Sequence, residues 1–101
     1  MIQVNKAALN RQNWLLDEVK ANGLELTHID TEVLNLSNGE FERVVDAIQY
    51  GSQDVPVMYR RGQYMVEVAH CDNEVDIYWY RYHEYVEKYG LEDEVTWEEL
   101  R

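Results

Sequence analysis

Phe41, Val44, Val45 and Ile48 fall at i, i+3, i+4 and i+7, which is one face of an α-helix. Ser37 and Glu40 stand just before them at capping-box spacing, and Gly51 closes the stretch. Leu9, Trp14, Leu15, Leu16 and Val19 make an earlier apolar helical face, which Asn22-Gly23 ends with a left-handed stop. Alternation predicts strands at Met1–Asn5 and Leu24–Ile29, ahead of and behind that helix. Val55–Tyr59 and Gln63–His70 read as a hairpin about the turn Arg60-Arg61-Gly62, where Gly62 supplies a positive φ.

Asp72 to Tyr89 supports two patterns. As a strand, Val75, Ile77 and Trp79 alternate with Asp76, Tyr78 and Tyr80. As a helix, Val75, Tyr78, Trp79, Tyr82, Tyr85, Val86 and Tyr89 share a face, with Asp72 or Asn73 as N-cap and Gly90 as stop. The helical pattern accounts for more residues and is the expectation taken. Thr96-Trp97-Glu98-Glu99 resembles a further capping box and predicts a last helical turn. The order is then β-α-β-α-β-β-α: an α/β chain with a right-handed βαβ unit, a four-stranded mixed sheet and helices on both faces. Residues 1–90 form the domain and 91–101 an acidic tail.

Composition narrows the function classes. The chain has 101 residues, one cysteine, one proline and a net charge of −11. One cysteine closes no internal disulfide and builds no Cys-rich zinc module. Residues 67–101 carry eleven of the twenty acids against Arg81, Lys88 and Arg101. That field repels nucleic acid and anionic membrane, so neither is expected as a direct partner. No apolar run is long enough to span a membrane. No basic region followed by an apolar stretch opens the chain, so a cytoplasmic location is the default expectation.

With these elements in order, residues 1–90 resemble the glutaredoxin and thioredoxin-like family. The residues that carry the resemblance are Trp14 to Glu32 with Gly23 and a strand closing on Ile29-Asp30, the segment Tyr50-Gly51-Ser52-Gln53-Asp54-Val55-Pro56-Val57, Gly62, and the pair Cys71-Asp72. The resemblance implies a thioredoxin-like fold, a cis bond before Pro56, and a last helix opened by Cys71-Asp72. It also implies a groove for glutathione or an extended peptide, formed by Lys6, Val55, Pro56 and Asp72. The family's catalytic thiols would fall at Leu9 and Gln12, and neither residue can form a thiolate. Ala69-His70 replaces the family's Gly-Gly, which weakens the case for close approach of a ligand backbone.

Other chemistry is sparse. Cys71 beside Asp72 and Glu74 reads as an unreactive, partly buried thiol, with a residual glutathione-linked transferase as the alternative. A calcium loop counted from Asp72 finds Ile77 where glycine is needed and His83 where a carboxylate is needed. His70 and Cys71 lack a second ligand pair, so no metal and no cofactor are expected. Tyr78, Tyr80, Tyr82, Tyr85 and Tyr89 with Trp79 exceed what one small helix needs for packing. Tyrosine set among acids is common at protein interfaces, which points to Tyr80, Glu84 and Glu87 as partner-binding residues. The expectation is a redox-inactive, glutaredoxin-like protein-binding module. The alternative is a small acidic inhibitor that occupies the basic groove of a nucleic-acid enzyme.

Overall fold

A computed structural model describes residues 6–51, 56–90 and 97–99. The chain is an α/β protein with a mixed sheet and helices on both of its faces. Helix α1 (Lys6–Ala21) leads into strand β1 (Glu25–Ile29), a 3-10 turn (Thr31–Asn35) and helix α2 (Asn38–Tyr50). Strands β2 (Val57–Arg61), β3 (Tyr64–Cys71) and β4 (Glu74–Arg81) follow as an antiparallel meander. Helix α3 (Tyr82–Tyr89) and the short strand β5 (Trp97–Glu99) complete the described chain. Four strands lie in the order β1-β4-β3-β2, with β1 parallel to β4, and β5 adds to the β2 edge in parallel.

Helix α2 forms as its sequence dictates. Ser37 Oγ accepts from the Glu40 backbone N–H, and Glu40 Oε1 accepts from the Ser37 backbone N–H at 3.1 Å. Phe41, Val44, Val45 and Ile48 are all buried, and Gly51 caps the end. Helix α1 also forms, but the face it buries differs from the one the apolar count suggests. Ala8, Leu15 and Val19 face the core, whereas Leu9, Trp14 and Leu16 stay exposed. Arg11 lies on the buried stripe, three residues after Ala8 and four before Leu15. Its guanidinium donates to the carbonyls of Leu34 and Leu36 and to Asn38 Oδ1, and sits 4.9 Å from the Phe41 ring centre. Those carbonyls end the 3-10 turn, so this tether sets the roll of α1 against α2.

Asp72 to Tyr89 is the main correction. It does not form one helix: Glu74–Arg81 is strand β4, and only Tyr82–Tyr89 is helical. Cys71-Asp72 therefore opens no helix. Cys71 ends β3 opposite Glu74, and Asp72-Asn73 is a two-residue turn with Asp72 at φ 54°. Aspartate tolerates that left-handed conformation better than most side chains. The strand wins because eight consecutive pairs with β3 satisfy its backbone, while Val75 and Ile77 are fully buried in the sheet. The β2–β3 turn shortens to Gly62-Gln63, because β2 runs on through Arg61 to pair with Tyr64, and Gly62 takes φ 57°. Trp97–Glu99 is extended where a helical turn was expected. The expected strand at 1–5 and the Val55–Pro56 bond lie outside the described residues.

Alternation in the strands divides the interior in two. Tyr59, Val66, Val68, Val75 and Ile77 face α1 and α2 in the main core. Met58 and Met65 face the other way and are covered by Tyr85 of α3, with Tyr80 packed beside them. Leu15→Ala is expected to cost about 2–5 kcal/mol, because it opens a cavity in the main core. Leu9→Ala is expected to stay within about 0.5 kcal/mol, since nearly half of Leu9 is already exposed. Urea denaturation of both variants checks this, and equal losses would refute the assigned face.

Candidate functional site

The sheet face toward α3 carries an unbroken run of aromatic and acidic side chains. In β4, Asp76, Tyr78 and Tyr80 alternate with the core residues Val75, Ile77 and Trp79 and so point to this face. Register places Glu67 of β3 beside Tyr78, and His28 of β1 beside Asp76. The His28 ring stacks on Tyr78 with centres 4.7 Å apart, and Tyr78 stacks on Tyr80 at 5.9 Å. Tyr80 then meets Tyr85 edge-on at 5.3 Å and Tyr89 at 6.2 Å. Helix α3 covers one end of this run. Beyond it Glu67, Asp76 and Tyr78 are partly exposed and His28 is exposed.

The acids are held in place. Asp30 Oδ2 accepts the Trp79 backbone N–H at 2.8 Å, and its Oδ1 lies 2.9 Å from His28 Nε2. Asp76 accepts from the Thr27 hydroxyl and, at 3.3 Å, from the Tyr78 hydroxyl. Burial pushes the Glu67 carboxyl above its ordinary 4.5, and a hydrogen bond from Tyr80 opposes the shift in part. Burial first, then the charge of Asp76 and the hydrogen bond to it, raise the Tyr78 phenol. The Tyr80 phenol is also raised, first by burial and then by its hydrogen bond with Tyr89 and the Glu67 charge. Both phenols stay protonated at neutral pH and keep their O–H donors. The face therefore offers flat apolar rings, fixed hydroxyl donors and carboxylate acceptors.

The sequence-derived residues are scattered relative to this face. Tyr80 belongs to it, but as a strand residue and not as part of the last helix. Glu84 and Glu87 are exposed on α3, the helix whose Tyr85 and Tyr89 touch Tyr80. His28, Asp30, Glu67, Asp76 and Tyr78 were missed as site residues. The strand alternation Asp76-Tyr78-Tyr80 was the signal that could have found two of them, Asp76 and Tyr78. Of the groove residues, Lys6 opens α1 and Asp72 lies beside Asn22 and Leu24, just past the other end of that helix. Sixteen residues of helix put about 22 Å between those ends. Pro56 precedes β2 at the end of the sheet where Asp72 lies, and Val55 lies outside the described residues.

Cys71 is exposed and not partly buried as expected, because it ends β3 at the Asp72-Asn73 turn, and no helix N-terminus lies behind it. His70 Nε2 lies 3.1 Å from the Ile48 carbonyl, and its ring packs so closely under Gly51 that a Cβ there would overlap it. Among the described residues no group of three or more His, Cys, Asp or Glu is arranged to hold a metal. No helix among them is long and apolar enough to cross a membrane.

A raised carboxyl value means that Glu67 holds its proton more tightly in the folded chain than in the unfolded one. Its contribution is greatest below 4.5 and is lost as pH rises through the folded value. Glu67→Gln should therefore shrink the fall in stability between about pH 4 and neutrality. Urea midpoints at both ends of that range test this, and an unchanged difference in the variant would overturn it. Scans against protein-family models, curated proteins and solved structures each returned no match to this chain.

Proposed function

We propose that the chain is a protein-binding module that docks a basic segment of a partner protein on the α3-side face of its sheet. The observation that carries this reading is the continuous His28–Tyr78–Tyr80 stack flanked by Asp30, Asp76 and Glu67. Aromatic rings with fixed hydroxyls are a usual component of interface hot spots. A lysine or arginine side chain laid over such rings gains cation–π attraction of about 0.5–2 kcal/mol, depending on how far it is desolvated. The carboxylates add charge complementarity, and the net charge of −11 steers basic partners in the same direction. The reading rests on the chemistry of this face and does not require the glutaredoxin-like resemblance. Thiol exchange finds little support, because Leu9 and Gln12 open no thiol site and Cys71 sits on a hairpin beside acids.

Amide shifts of the labelled protein on titration with arginine- and lysine-rich peptides test the proposal. The changes should concentrate at residues 28, 67, 76, 78 and 80. Tyr78→Ala should weaken binding about tenfold, equivalent to about 1.4 kcal/mol. Shifts confined to α1, or no effect of Tyr78→Ala, would remove the proposed face. The acidic-inhibitor alternative predicts instead that a basic nucleic-acid enzyme is captured and that DNA competes it away.

A further inference from the structure

We propose that a second site, a small cavity at the β2–β3 turn, binds an oxyanion (a carboxylate or a phosphoryl group) through Arg60. The cavity measures about 330 Å³ and is lined by Arg60, Gly62, Gln63, Tyr82 and His83. This proposal goes beyond the basic-segment reading and does not depend on it, since the ligand has the opposite charge.

Arg60 is held at two points. Its guanidinium carbon lies 3.7 Å from the centre of the Tyr82 ring, so the planar group is stacked on an aromatic face. Its Nε donates to the Gly62 carbonyl at 3.1 Å, which fixes rotation within that plane. Gly62 accepts this bond from the turn that its own positive φ allows. The backbone N–H of Tyr82 donates to the Gln63 carbonyl at 2.7 Å, so the ring is tied to the same turn. Arginine, stacking partner and turn thus form one braced unit.

With Nε occupied, the edge carrying the two Nη groups is the remaining hydrogen-bonding edge. Among the residues whose side chains are described, neither Nη group has a carboxylate or carbonyl acceptor. Two parallel N–H donors on one edge match the two oxygens of a carboxylate or phosphoryl group. Because the fork is already immobilised, binding loses little of the side-chain freedom that usually opposes it. The Gln63 carboxamide and the His83 imidazole are exposed at the cavity and can donate to the same ligand. Surface packing alone would explain an arginine over a tyrosine. It does not require the second hold at Nε, which fixes the fork within the plane of the stack.

The net negative field of the chain opposes anions at long range. At physiological ionic strength charges beyond about 8 Å are screened, so the fork competes only with near neighbours, among them Glu99 of β5, which stands in register with Arg60. The test is amide and arginine Nε–H NMR of the full chain at that ionic strength, titrated separately with inorganic phosphate and with acetate. The expected result is saturable shifts at Arg60 Nε–H and at the amides of residues 62, 63 and 83, in the millimolar range. Saturation by phosphate alone identifies a phosphoryl site, and saturation by acetate as well identifies a general carboxylate site. Arg60→Lys should weaken binding at least about tenfold, because an ammonium cannot form the paired contact. Gln63→Glu places a like charge at the cavity without touching the stack, and should abolish binding while the thermal melt is unchanged. No saturation with either anion, or the same titration curve in Gln63→Glu, would overturn the proposal.

Discussion

The eight-pair antiparallel ladder between β3 and β4 is the element on which the other parts of the molecule depend. Backbone pairing along Tyr64–Cys71 and Glu74–Arg81 holds each side chain to one face or the other, with a period of two. That division puts Val66, Val68, Val75 and Ile77 under α1 and α2. The same division turns Met65, Glu67, Tyr78 and Tyr80 the other way. A one-residue slip would exchange the two sets, burying carboxylates and exposing valines. The main core and the aromatic face therefore arise from a single register.

Glu40 joins that ladder to the helical layer. Its carboxylate is almost fully buried, accepting the Ser37 backbone N–H with one oxygen and the Tyr64 hydroxyl at 2.8 Å with the other. A buried carboxylate is tolerated only where hydrogen bonds replace the water it loses. The capping box is thus more than a local helix start, because its glutamate also binds the first residue of β3. Asp30 acts in a similar way at the other boundary, closing the end of β1 on the Trp79 N–H while contacting His28 on the opposite face.

Much of this was legible in the chain. The α2 signals are local: Ser37 and Glu40 satisfy the helix end by themselves, and Phe41, Val44, Val45 and Ile48 need only some apolar surface to face. Gly62 with positive φ and the strand ending at Ile29 are equally short-range. The α1 face was less legible, because Leu9, Trp14 and Leu16 are as apolar as Leu15 and Val19. The choice among them came from the reach of Arg11 to carbonyls more than twenty residues away. Sequence pattern showed that Tyr80 lay among acids. It did not show that His28 and Asp76 lay in the same place, since pairing between β1 and β4 is non-local.

Asp72 to Tyr89 divides these two kinds of information. By itself the sequence determined that the segment is amphipathic, aromatic and acidic, and that Gly90 ends it, because those are properties of composition and short spacing. It carried a helical and a strand pattern together. Only the tertiary structure chose between them, at Arg81, by offering β4 a partner strand on each side and leaving Tyr82–Tyr89 without one. A backbone with neighbours on both edges satisfies its hydrogen bonds in the sheet, whereas one without neighbours satisfies them within itself as a helix. That choice set Tyr78 and Trp79 on opposite faces and so created the aromatic, acidic face beside α3.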